Sequence, residues 1–462
     1  MRKKHLLYTF LFGVAVFLFF GLAYPHHLHY QEQLQLFLFD SNYVCDVVSR
    51  PGGVADLLGR FCTQFFLFAW VGAGIIAVLL SAVQLLTLRL AKWGWLYGLS
   101  YVPSLLLWLF LLDENALLGG VWAVLLTLLA IWGLSRLPNG WTRRVLIIVA
   151  IPIVYWMVGP AWTGSHYHRY PTVFPTLLYA AWLSAVVLPL IARACHRWLS
   201  ASHSSFLISH SSFLIPHFSF LILMACLVWK NANFKAEKVM QYDFMARYQQ
   251  WNRILETVNA EKPNNQIGVT VQNLALAMHG MLLEQMANYN QNGIAGLLPD
   301  VKEDATSPLP TAEAFYQLGM INVAQRTVFE AQESILDFQK SGRCYKRLAQ
   351  TNLILGSYEV ARKYLTALQK TLFYSDWANE TLPLLGNEEA IAKHPEYGRL
   401  RQFVCSDDYY FSDHVTSDML ERLFFCNTEN RLAFEYLKAY YMLTGDRENY
   451  AKLILHLQKL KQ

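Results

Sequence analysis

Hydrophobic and polar positions change character once along the chain, near residue 230. Ahead of that point seven apolar runs stand close to the roughly 20 residues needed to cross a bilayer. They are Leu6–Tyr24, Gln64–Leu88, Trp95–Leu112, Ala116–Leu134, Val145–Trp162, Thr172–Ile191 and Phe206–Trp229. Each is too long for a strand, and a backbone in hydrocarbon must satisfy its own hydrogen bonds, so each is expected to be a helix. Beyond about Asn231 the apolar positions recur at amphipathic helical spacing. Prolines there sit at junctions (Pro263, Pro299, Pro308, Pro310, Pro383, Pro395), and no alternating strand pattern competes. The expected fold class is all-α. A seven-helix transmembrane domain over residues 1–229, with an outer loop at 25–63, precedes a soluble helical domain over 230–462.

The charges agree with this division. Up to Trp229 there are 13 Lys/Arg and 6 Asp/Glu; from Lys230 onward there are 25 and 27. The apolar fraction of 54% is high and the charged fraction of 15% lies well below the roughly 25% of soluble proteins. A slightly acidic second half without a basic stripe argues against nucleic acid as a partner. Within the first half, Arg2, Lys3, Lys4, Arg89, Lys92, Arg136, Arg143, Arg144, Arg193 and Arg197 fall on one side of the predicted spans. The other side receives Arg50, Arg60 and Arg169, and all six acids: Glu32, Asp40, Asp46, Asp56, Asp113 and Glu114. The positive-inside rule therefore places the N-terminus in the cytoplasm. An odd number of spans carries the second half to the extracytoplasmic, periplasmic side of an inner membrane. Trp95, Tyr97, Trp141, Trp156, Trp162, Tyr167 and Tyr170 lie near span ends, where amphipathic rings favour the interface. The first run reads as a retained anchor, although Gly21-x-Ala23 near its end also fits a cleaved signal peptide. The seventh contains a seven-residue motif in three copies, beginning at His203, His210 and His217, and slippage of a repeated gene segment accounts for it.

In the outer loop, Arg50-Pro-Gly-Gly53 reads as a turn before a new helix. Leu34, Phe37, Leu57 and Leu58 mark two amphipathic segments expected to lie along the outer membrane face. Glu32, Asp40, Asp46 and Asp56 stand near that face. In this placement they resemble the first-loop carboxylates of multispan glycosyltransferases that use lipid-linked sugars, without the paired acidic motif. Ordinary solvating charges account for the same pattern. His26, His27, His29, His166 and His168 are expected to face one compartment, but no His-x-x-x-His or neighbouring Cys accompanies them, and no metal or other cofactor is expected.

The second half resembles the tetratricopeptide repeat in three places. Phe315-x-x-Leu318-Gly319 with Ala331 is one, Leu348-Ala349 with Gly356, Tyr358 and Ala361 is another, and Phe434-x-x-Leu437 with Tyr441 and Gly445 is the third. The final proline of that repeat is mostly missing, and Ser375–Ser417 fits poorly. Such units bury their apolar faces only by stacking, and the stack implies a groove suited to a protein partner. Among seven cysteines there is no C-x-x-C. Cys405 and Cys426 can pair if the domain lies outside the cytoplasm, and reduced, buried thiols are the alternative. Walker, dinucleotide, G-x-S-x-G and H-E-x-x-H motifs are absent.

As a whole the chain resembles a bacterial polytopic membrane family without an established activity. Glu32-Gln-Leu-Gln-Leu-Phe-Leu-Phe39, Arg50-Pro-Gly-Gly53 and Lys340-Ser-Gly-Arg-Cys-Tyr-Lys-Arg-Leu348 carry the resemblance. It implies architecture and an inner-membrane location but no chemistry, and catalytic residues stay unknown. The leading expectation is a membrane scaffold whose extracytoplasmic helical domain binds a protein. The rival is a membrane enzyme acting on a lipid-linked substrate through Glu32, Asp40 or Asp46. A transporter ranks last, because the spans lack the charges that mark a substrate path.

Overall fold

The computed structural model describes residues 2–91, 93–163, 174–201, 214–300, 307–335, 339–405 and 416–460. Every regular element among them is helical. His166, His168, Arg169, Tyr167, Tyr170, Lys92 and repeat residues 203–213 lie outside the described residues, as do the side chains of Trp95, Trp162, Arg197 and His217. The chain forms two compact units, Met1–Glu237 and Lys238–Gln462.

The first unit contains α1 (Arg2–Leu18), α2 (Pro25–Glu32), α3 (Ser41–Val48), α4 (Gly53–Thr63) and α5 (Ala69–Arg89). It continues with α6 (Val102–Phe110), α7 (Gly119–Ser135), α8 (Trp141–Thr163), α9 (Phe174–Ala201) and α10 (Leu214–Asn231). Four helical stretches are long and apolar enough to cross a membrane: His5–Ala23, Ala69–Arg89, Trp141–Gly159 and Thr176–His196. Leu96–Phe110, Gly119–Ser135 and Ser219–Asn231 are apolar but shorter. On α8, Ile148 and Ile151 are 68% and 64% exposed, part of an apolar face of the kind lipid covers.

Helix α5 packs against α1, α6 and α7. Its buried Gln84 accepts from Thr9 Oγ1 (2.7 Å) and donates to Ser100 Oγ (3.2 Å), so a polar side chain between apolar helices is satisfied across three elements. Helices α4 and α7 cross with their backbones touching: a Cβ on Gly59 would lie 2.4 Å from the Gly119 nitrogen. The turn at Arg50-Pro-Gly-Gly53 is explained by two constraints. Gly52 has φ +82°, and a Cβ on Gly53 would meet the Val47 carbonyl oxygen at 1.9 Å.

Two sequence expectations change here. Residues 35–40 are not helical, and Gln33, Leu34, Gln35, Leu36 and Phe37 are all buried. Residues 33–37 are thus an interior strap rather than an amphipathic surface segment, held where Tyr43 Oη donates to the Leu36 carbonyl (3.0 Å) and Gln35 bonds to α4, whereas Phe39 is exposed. Tyr97 lies inside the unit, its hydroxyl 3.2 Å from that of Tyr101, whereas Trp141 is exposed.

Helix α11 (Phe234–Arg247) leads into the second unit, followed by α12 (Trp251–Glu261), α13 (Gln266–Met278), α14 (Leu282–Gln285), α15 (Pro308–Leu318) and α16 (Ile321–Glu333). Next come α17 (Gly342–Ile354), α18 (Tyr358–Leu368), α19 (Ser375–Thr381), α20 (Glu388–Lys393) and α21 (Tyr397–Gln402). The last three are α22 (Thr416–Cys426), α23 (Arg431–Thr444) and α24 (Arg447–Leu460). One turn geometry recurs after α11, α13, α15, α17 and α23. Gly280, Gly319, Gly356 and Gly445 have φ of +67°, +91°, +79° and +72°, and Gln249 takes the same place at +51°. The following amide then donates to the carbonyl five residues back, as in Met320 to Phe315 (2.9 Å), Ser357 to Asn352 (2.8 Å) and Gln250 to Met245 (2.9 Å). That bond pairs a carbonyl left over at the helix end. Helices α15 to α18 pack each on the next, around a core that includes Phe315, Leu353, Leu420 and Tyr436. A disulfide joins Cys405 to Cys426 at the end of α22.

Candidate functional site

The acids of segment 25–63 have separate surroundings. Asp40 is the N-cap of α3 and accepts from the amides of Asn42 (3.0 Å) and Tyr43 (3.2 Å), the role a short carboxylate plays at a helix start. Asp46 is exposed and pairs with Arg50 one turn on. Glu32 is buried at the end of α2. Asp56 is the acid held in a buried network: Arg60 donates to it from Nη2 (2.6 Å) and Nε (3.0 Å) and reaches Tyr43 Oη (3.4 Å). Gln35 contacts Asp56 Oδ1 (3.5 Å) and accepts from Thr63 Oγ1 (3.4 Å).

Elsewhere in the same unit, the start of α2 is closed by a residue from far along the chain. The Glu237 carboxylate accepts from the amides of His26 (2.8 Å) and His27 (2.9 Å), at a helix N-terminus where negative charge is favoured. Burial nevertheless pushes the Glu237 carboxyl up to about 7, the two amides opposing the rise. Asp113 is also pushed up by burial to about 7, against the amide of Asn115 and helped by the charge of Glu114. Burial holds His27 down at about 3, and as a neutral ring it donates from Nε2 to the Leu111 carbonyl (2.9 Å).

The helical unit gathers more charge. Arg343 donates twice to Asp243 (2.6 and 2.7 Å), and Arg347 twice to Glu313 (2.5 and 2.6 Å). Burial works against the charge of Arg343, yet the Asp243 carboxylate outweighs it and holds the guanidinium above its usual range. Arg347 lies 3.7 Å over the Tyr316 ring and Lys346 4.9 Å over Trp377. Burial, and then Arg247 and Arg347, lower the Lys346 ammonium. Near this ion-paired face is a cavity of about 630 Å³ whose lining includes His279, Gln317, Glu396, Arg399, Arg431 and Glu435.

A model of a family of unknown function (DUF6057) matches residues 2–164 and 160–462. The chain belongs to that family. No curated protein and no solved structure matches it. DUF6057 membership thus brings no activity with it. Sequence reasoning pointed to the loop acids and passed over Asp243, Glu313, Arg399 and Glu435. One signal was available: Arg343, Lys346 and Arg347 share one face of α17 at helical spacing, and three cations together require opposite charge from other helices.

Proposed function

We propose that this is a multi-pass membrane scaffold, with seven crossings in residues 1–229 and a cytoplasmic N-terminus. On this reading, residues 230–462 form an extracytoplasmic, tetratricopeptide-like domain that docks a protein of the cell envelope. The observation that carries the reading is the run α15 to α18. Consecutive helices there pack on one another, with left-handed turns at Gly319 and Gly356, the arrangement by which repeat proteins build one long surface. The paired Cys405 and Cys426 support an oxidising compartment for that half. Trp377, partly exposed with Lys346 stacked on it at 4.9 Å, offers the aromatic group favoured at protein interfaces.

The test compares full-length protein in mild detergent with its Lys346→Glu/Trp377→Ala variant. The expected result is a stoichiometric envelope protein that co-purifies with the first and not with the second, at equal melting temperature. Equal recovery of every companion protein from both would refute docking at this face. A periplasm-dependent reporter fused after Gln462 tests the side, and its inactivity would refute the topology.

A further inference from the structure

The cavity of the helical unit carries a second reading, independent of any protein partner. We propose that it binds a small zwitterion with one carboxylate and one ammonium group, of the class of free amino acids and short peptides. Its walls come from five helices, with Gln249 just after α11 among them. Gln317 lies on α15, Glu396 and Arg399 at the start of α21, Arg431 and Glu435 on α23, and His279 just after α13.

The donor side is built around Arg399. Its guanidinium donates to the Gln317 carbonyl (3.4 Å) and to Gln317 Oε1 (3.0 Å), and to no carboxylate among the described residues. An arginine has five N–H donors, so most of them stay available. Burial lowers the pKa of Arg399, although Tyr316 and the nearby Glu396 oppose the fall. Gln317 is only 1% exposed, and its Nε2 has no hydrogen-bond partner. A buried unpaired donor is costly, and here it lies beside an arginine suited to gripping a carboxylate in two-pronged fashion.

The acceptor side is Glu435. Its Oε2 is buried without a partner, and burial raises the carboxyl pKa although Arg431, Lys438 and a backbone hydrogen bond from Leu282 oppose the rise. Glu396 adds a second carboxylate to the lining. A simple anion would satisfy Arg399 and Gln317 but meet these two acids; a simple cation would meet the arginines. A ligand carrying both charges answers both sides. The volume of about 630 Å³ falls within the usual range of roughly 300–1,000 Å³ for small-molecule sites, and suits a di- or tripeptide better than a single small amino acid.

Isothermal titration of full-length protein in detergent tests this with trialanine, N-acetyl-trialanine and trialanine amide. Trialanine is expected to bind, and blocking either end to weaken binding about tenfold or more, the loss of one charged contact. Arg399→Gln should abolish the preference for trialanine over its amide, and Glu435→Gln the preference over the acetylated peptide. Absence of binding by trialanine, or equal binding of the capped peptides, would overturn the proposal. So would variants that melt like the wild type and keep both preferences. Should either variant fail to fold, the three peptides on the unmodified protein still decide.

Discussion

Replacing Asp243 by Asn removes the charge that answers Arg343 while leaving its shape. The pair is joined by two hydrogen bonds of 2.6 and 2.7 Å, and the side chains of Arg343 and Asp243 are only 7% and 14% exposed. Breaking such a pair from one side leaves a buried charge uncompensated, at about 3 kcal/mol or more. For a unit of this size each kcal/mol lowers the midpoint by roughly 2–4 °C, so a drop of about 6–12 °C is expected. The double variant Asp243→Leu/Arg343→Met removes both charges and should recover to within about 1 kcal/mol of the parent, because the desolvation cost vanishes with the attraction. Thermal unfolding of the full-length protein, with hydrogen exchange read on α11 and α17, measures both. The reasoning is refuted if Asp243→Asn costs under about 1 kcal/mol, or if the double variant is no better than the single one.

Three further outcomes are expected. Gly319→Ala should cost about 2–3 kcal/mol and Gly445→Ala only about 1 kcal/mol in urea unfolding. Both glycines are left-handed, but an added Cβ at 319 would lie 2.6 Å from Phe403 Cβ, and at 445 it meets nothing within 4 Å. Glu237 ionises near 7 in the fold against a reference of 4.5. The folded state therefore holds its proton longer, and the stability this residue contributes is full below about pH 4.5 and lost as pH rises through 7. Melting of the N-terminal unit should fall between about pH 4.5 and 7, and fall less in Glu237→Gln; an identical pH slope in that variant would exclude Glu237 as a source. Cys405→Ser should lower stability by about 3 kcal/mol under non-reducing conditions, given a sequence separation of 21, and reductant should bring the parent to the same midpoint.

The sequence disclosed what depends on neighbours and hid what depends on distance. Apolar runs foretold helices because helical hydrogen bonds are local, and Arg50-Pro-Gly-Gly53 foretold a turn because glycine tolerates what Gly52 and Gly53 must adopt. Gly319, Gly356 and Gly445 were marked by the repeat pattern. Gln249 was not, since nothing in a glutamine announces a left-handed residue; the pull of Gln250 on the Met245 carbonyl places it there. Asp40 caps α3 through amides two and three residues on, a local role that its place among the loop acids does not reveal. The partners of Arg343 and Arg347 stand 100 and 34 residues away, and helical periodicity carries no information about them. The cavity is further from view still, because its walls come from helix ends that only tertiary packing assembles.

The carboxylate over the start of α2 bears on the order in which the protein is made. His26 and His27 leave the ribosome 211 and 210 residues before the group that accepts from their amides. At about 5–20 residues per second, the interval is roughly 10 to 40 s. Tyr24 waits almost as long for the Asn233 amide that donates to its hydroxyl. Throughout that time α2 has neither its closing charge nor its neighbour, so the beginning of the N-terminal unit is completed by its very end. A nascent chain arrested just after Trp229 would contain every apolar run and still leave that first corner unfinished, a state that a chaperone or protease could tell apart from the mature fold.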